Sequence, residues 1–172
     1  MSQKIPLTLG FANLSDGDFG SLLADDVATL SPLFDRVRIA PPRELPEANV
    51  LFLYAKLSES GAIAGAPISG LRQIVQTTHA AIVVLASPNP SADLNGALGS
   101  PGAKKANIAF TLDRKGPAFG KFWRALFEKM RDGEPMLQAW VHIAPQGPIE
   151  CDGNPDAVLL PEAGEIAFPP HA

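Results

Sequence analysis

A single cysteine, Cys151, leaves this chain without a disulfide framework or a thiolate metal site. Its neighbours Glu150 and Asp152 are acids, which disfavour a thiolate, so it is a poor nucleophile. Histidine is scarce too. His79, His142 and His171 stand alone, with no second histidine three or four residues away, so no helical metal motif is present. A surplus of positive charge is also missing. The 14 Lys+Arg face 18 Asp+Glu, and a net charge of -4 argues against tracking the phosphates of a nucleic acid. The longest wholly apolar run, Ala80–Ala86, has seven residues, where a spanning helix needs about 20. At the N-terminus, Pro6 and the polar run from Asn13 leave no hydrophobic leader core. From these absences the expectation is a soluble, cytoplasmic protein with no metal, no cofactor, and no nucleic-acid or membrane partner.

What is present is the material of a globular core. Apolar residues make up 46% of the chain and charged residues 19%, the latter below the ~25% of average usage. A chain of 172 residues fits one domain and buries about 70% of its unfolded surface. Its 17 prolines and 15 glycines punctuate short apolar runs of strand length. These are Leu7–Ala12, Val37–Ala40, Val50–Ala55, Ile82–Ala86 and Asn107–Leu112. Several are continuous rather than alternating, as in strands covered on both faces.

Helical periodicity lies between and after them. Ser21–Phe34 aligns Leu22, Leu23, Val27, Leu30 and Phe34, with Asp25 and Asp26 in early turns where the helix dipole favours acids. A shorter helix over Ile68–Thr78 runs through Leu71, Ile74 and Val75. The strongest signal is Phe119–Arg131, where Phe119, Phe122, Trp123, Leu126, Phe127 and Met130 form one stripe. Gly133 reads as its C-cap, and Pro135 as the first residue of a last helix that Pro145 stops. The run Gly96, Gly99, Gly102, Lys104, Lys105 lacks phosphate-loop spacing and reads as a surface loop. Ala157–Leu160 and Glu165–Phe168, around Pro161–Gly164, read as a β-hairpin or as an addition to a sheet edge.

The predicted fold is therefore an α/β three-layer α-β-α sandwich with a mainly parallel sheet, plus a C-terminal β-hairpin. The expected strand order is 2-1-3-4-5. Residues 1–145 form the sandwich, and 146–172 a proline-rich extension of the same domain.

Open parallel sheets bind ligands at the carboxyl ends of their strands. The polar residues there are Asn13, Ser15, Asp16 and Asp18, then Lys56, Ser58 and Glu59, then Ser87 and Asn89, then Asp113, Arg114 and Lys115. Of these, Asn13, Ser15, Lys56, Ser87, Asn89 and Asp113 are the candidate ligand-binding residues. They are equally readable as solvated loop starts. Ser87 with Lys56 invites a serine–lysine reading, which needs a desolvated, deprotonated lysine.

Two central segments carry a family resemblance. Asn49-Val50-Leu51-Phe52-Leu53-Tyr54-Ala55-Lys56-Leu57 and Ile82-Val83-Val84-Leu85-Ala86-Ser87-Pro88 resemble the two strands that end in the catalytic dyad of caspase-like CHAT domains. In that family the first strand ends in a histidine followed by glycine, and the later one in the nucleophilic cysteine. Here Lys56 stands in the histidine position, Leu57 in the glycine position and Pro88 in the cysteine position. The similarity spans roughly residues 5 to 145 as a pattern of strands and helices. It implies a caspase-like sandwich without the protease dyad, a pseudoenzyme. A receiver-domain analogy uses Asp16, Asp18, Ser87 and Lys115, but Lys56 stands where its phospho-acceptor acid belongs. A flavodoxin analogy fails on the acidic loop after the first strand.

Two function classes follow. One is a non-catalytic interaction or regulatory module with a protein partner or a homo-oligomer. The other is a small-ligand binder or enzyme using the polar strand ends. Burial of Lys56 separates them: a desolvated lysine beside Ser87 favours the ligand class, and a solvated one favours the module.

Overall fold

The computed structural model describes residues 3–15, 18–63, 70–98, 105–114, 116–144 and 156–170. Its sheet is built from β1 (Ile5–Asn13), β2 (Phe34–Ile39), β3 (Val50–Tyr54), β4 (Ile82–Leu85), β5 (Asn107–Asp113) and β6 (Asp156–Pro161). The order across the sheet is β2-β1-β3-β4-β5-β6. The first five strands run parallel, as expected from their continuous apolar character, and β6 adds antiparallel to β5.

Helices flank the sheet on both sides. These are α1 (Gly20–Leu30), α2 (Leu71–Thr78), α3 (Ser91–Leu98), α4 (Ala118–Arg131) and α5 (Met136–Ile143), with a 3-10 turn at Ser31–Leu33. Successive strand residues point to opposite faces, so each central strand feeds two cores. Phe52 and Tyr54 of β3 pack with the stripes of α1, α4 and α5. Leu51 and Leu53 pack with Leu71, Ile74 and Val75 of α2. The sandwich is three layers deep, as the two-faced strands require.

Several local expectations are corrected. Phe34 does not end the first helix. The chain leaves α1 through Ser31–Leu33 and Phe34 opens β2. Pro135 flanks α5 in extended conformation (φ -60°, ψ 149°) rather than occupying its first turn. Gly133 does follow the end of α4 at φ 102°, a conformation that favours glycine. His79 ends α2 in the left-handed region at φ 58°. Ser91–Leu98 is helical, so Gly96 lies in α3 and not in a loop. Gly99, Gly102 and Lys104 lie outside the described residues.

The expected C-terminal hairpin is half realised. Its first arm is β6, but the partner is β5, with Ile108 opposite Leu160 and Phe110 opposite Val158. The second arm, Glu165–Phe168, forms no strand. Ile166 O accepts the Met136 N–H at 2.7 Å, and Phe168 packs edge-on to Phe34 in the core. Burying Phe168 and completing the sheet edge outcompete a local strand pair.

Candidate functional site

The carboxyl ends of β1, β3, β4 and β5 lie side by side, as the strand order dictates. Of their polar residues, Ser87 and Asn89 meet at Ala55 O, whereas Lys56 and Asp113 are exposed. Asn13 accepts the Ser15 N–H on Oδ1 at 3.2 Å, an Asx turn that closes the end of β1. Lys56 is exposed. Ser87 and Asn89 are buried. The Ser87 hydroxyl donates to Ala55 O and accepts the Ala55 N–H at 3.0 Å. Asn89 Nδ2 donates to Ala55 O at 3.1 Å and Ser87 O at 2.9 Å, while its Oδ1 accepts the Leu57 N–H at 2.8 Å. Both side chains thus fasten the β3 exit to the β4 exit, satisfying backbone groups that would otherwise be orphaned. Asp113 is exposed, and its Oδ1 accepts the Arg114 N–H at 2.7 Å.

Ser87 and Lys56 are therefore not a pair: one side chain faces inward and the other faces water. His142 lies on α5 with Nδ1 2.7 Å from Glu134 Oε2. Asp18 is exposed, and its Oδ1 accepts the Gly20 N–H at 3.3 Å. Asp16, Lys115, Cys151 and His171 lie outside the described residues. No group of three or more His, Cys, Asp or Glu among the described residues is placed to hold a metal.

A different constellation sits beneath the same strand ends. The Arg114 guanidinium, just past β5, grips Asp26 of α1 with two bonds, Nη2 to Oδ1 at 2.6 Å and Nη1 to Oδ2 at 2.8 Å. Nη1 also donates to Ala86 O at 3.1 Å and Nη2 to Leu22 O at 3.4 Å. The Tyr54 hydroxyl, at the end of β3, donates to Asp26 Oδ2. The Phe119 ring of α4 lies under the guanidinium, 4.0 Å from Cζ to its centroid, a cation–π contact. Side-chain exposure is only 6% for Arg114 and 1% for Asp26, which makes this an internal ion pair. Three elements meet in it, α1, β3 and α4, together with the residues that follow β4 and β5.

Burial pushes the Asp26 carboxyl up from its ordinary 3.8, against the opposing pull of the Arg114 and Tyr54 bonds. Burial, reinforced by the Asp26 charge, raises the Tyr54 phenol well above its ordinary 10.0, so it stays a neutral donor. Sequence reasoning missed this network. The position of Asp26 in the sequence suits a helix-dipole acid, yet the first turn of α1 holds no acid and Asp26 is buried one turn further on. One signal was available. Tyr54 is the only tyrosine, set in an otherwise apolar strand, and a buried phenol needs a hydrogen-bond partner.

Above the network runs a groove of about 730 Å³. Leu22, Asp25 and Thr29 of α1 form one wall, Gly120, Lys121 and Arg124 of α4 the other, and Pro88 and Arg114 also line it. The helices approach closely here: a Cβ on Gly120 would come 3.3 Å from the Thr29 side chain. The groove lining mixes apolar surface with the charges of Asp25, Lys121 and Arg124, and the Arg114 guanidinium already has four acceptor contacts. No family model, no curated protein and no solved structure matches the chain.

Proposed function

We propose that the chain is a non-catalytic interaction or regulatory module, a degenerate caspase-like domain that keeps the scaffold of a protease dyad without its chemistry. The observation that carries this reading is the solvation of Lys56 beside a buried, backbone-bound Ser87. An exposed lysine lacks the desolvated setting that a serine–lysine pair needs. The relation of β3 to β4 supports the caspase-like part. The strands are parallel neighbours with Val50 opposite Ile82 and Leu53 opposite Leu85. Lys56 and Pro88 therefore follow adjacent strand exits, where the family's histidine and cysteine would stand. Neither can supply an imidazole or a thiolate.

The test is hydrolysis of a mixed peptide library by wild type and by Cys151→Ser, with thiol-labelling rates measured at pH 7. Slow labelling and no cleavage by either protein is the expected result. Cleavage by wild type that is lost in the variant, with fast labelling, overturns it. The groove favours a second reading, a small-ligand binder, because about 730 Å³ lies within the roughly 300–1,000 Å³ of ligand sites.

A further inference from the structure

Among the described residues β2 is one border of the sheet, paired with β1 alone. Ala40 N donates to Phe11 O on the β1 side. Backbone groups of successive strand residues aim at opposite sides, so those of Val37 and Ile39 face outward. Among the described residues no further hydrogen bond reaches them. Such a row is a template for an added strand unless something guards it.

The side chains define what could add. Arg36 and Arg38 alternate along β2, both exposed, and both border a hollow of about 330 Å³ with Thr8 and His79. Arg38 meets Glu47 at 3.8 Å, with both side chains more than half exposed, a weak pair. Arg36 has no ion pair among the described residues. Asp35 is the one acid on the strand, at its amino end. Ile39 is 55% exposed at the other end. Two guanidinium groups on one strip stand against the acidic balance of the whole chain. A second copy of β2 pairing antiparallel would set arginine against arginine, which repels. A strand with acids at alternate positions would gain cross-strand ion pairs instead.

We propose that the free edge of β2 docks an extended acidic segment of a partner protein, with alternate carboxylates facing Arg36 and Arg38 and an apolar residue over Ile39. The mode is strand addition, in which backbone bonds supply affinity and alternate side chains supply selectivity. This rests on the interaction-module reading and names the chemistry of its partner.

The experiment titrates the full chain with a peptide of alternating glutamate and valine, about ten residues long. A lysine-for-glutamate counterpart and a backbone N-methylated version serve as controls. Binding is read by fluorescence anisotropy at low and high salt, and amide exchange maps the site. Expected are binding of the glutamate peptide only, weakening with salt, and slowed exchange at Val37 and Ile39. Arg36→Glu with Arg38→Glu weakens binding by roughly tenfold or more at an unchanged melting temperature. No binding, binding that survives N-methylation, or binding unaffected by charge reversal overturns the proposal and assigns the arginines to guarding the edge. Slowed exchange along the α1–α4 groove instead overturns the β2 site while leaving the module reading intact. Cleavage of the peptide overturns the module reading.

Discussion

Arg114, a strand-end residue outside the six candidate ligand-binding positions, ties several parts of the fold together. Its guanidinium holds Asp26, Ala86 O and Leu22 O while resting on Phe119. Arg114→Met would leave Asp26 buried without its countercharge, and breaking a buried pair this way costs about 3–5 kcal/mol. Urea unfolding at pH 7 should show that loss. The double variant Arg114→Met, Asp26→Leu removes both charges, so it should recover a large part of the deficit. A single variant with unchanged stability would mean that the pair has no net role in the fold. The strand-end residues Ser87 and Asn89 meanwhile bond to the backbone of Ala55 and Leu57. They align the β3 and β4 exits that Arg114 then ties to α1.

Among the elements, α4 is the keel of one core. Trp123 touches Phe52, Phe119, Phe122, Phe127 and Trp140 with ring centroids 5.6–6.1 Å apart. It is fully buried. Trp123→Ala should cost about 3–5 kcal/mol, read as a drop in unfolding free energy. Its stripe was legible in the sequence because helical periodicity survives whatever the helix packs against. α3 was not legible, since the octet SADLNGAL offers only Leu94 and Leu98 as large apolar residues, too few for a helical stripe. The border strands differ in the same sense. β2 was visible as a short apolar run, whereas the partner of β6 depended on which edge of the sheet was open.

On the scale of the whole molecule, two shifted carboxyls pull the acid response in opposite directions. The hydrogen bond with His142 first, and then the bond and charge of Lys129, hold Glu134 below its ordinary 4.5. Its contribution to stability is present above pH 4.5 and lost as pH falls through the lowered value. Asp26 is raised above 3.8, so its ionised form opposes folding, and that penalty fades as pH falls toward 3.8. Glu134→Gln should therefore be less stable than wild type near neutrality and converge with it in strong acid. Urea midpoints from pH 3 to 7 check this, and a gap that widens on acidification would contradict it.

The sequence by itself determined the layered α/β architecture, the parallel central strands and the stripe of α4. Those features rest on periods of two and 3.6 residues, which are local properties of the chain. It also marked Asn13, Ser15, Lys56, Ser87, Asn89 and Asp113 as strand-end polar residues, but their directions were not readable. Only the tertiary structure turned Ser87 inward and left Lys56 in water. It alone joined Asp26 to Arg114, 88 residues apart, and gave β6 to β5 rather than to its sequence neighbour. Long-range pairing depends on which buried charges and open sheet edges the completed fold brings together, and local periodicity carries no record of that.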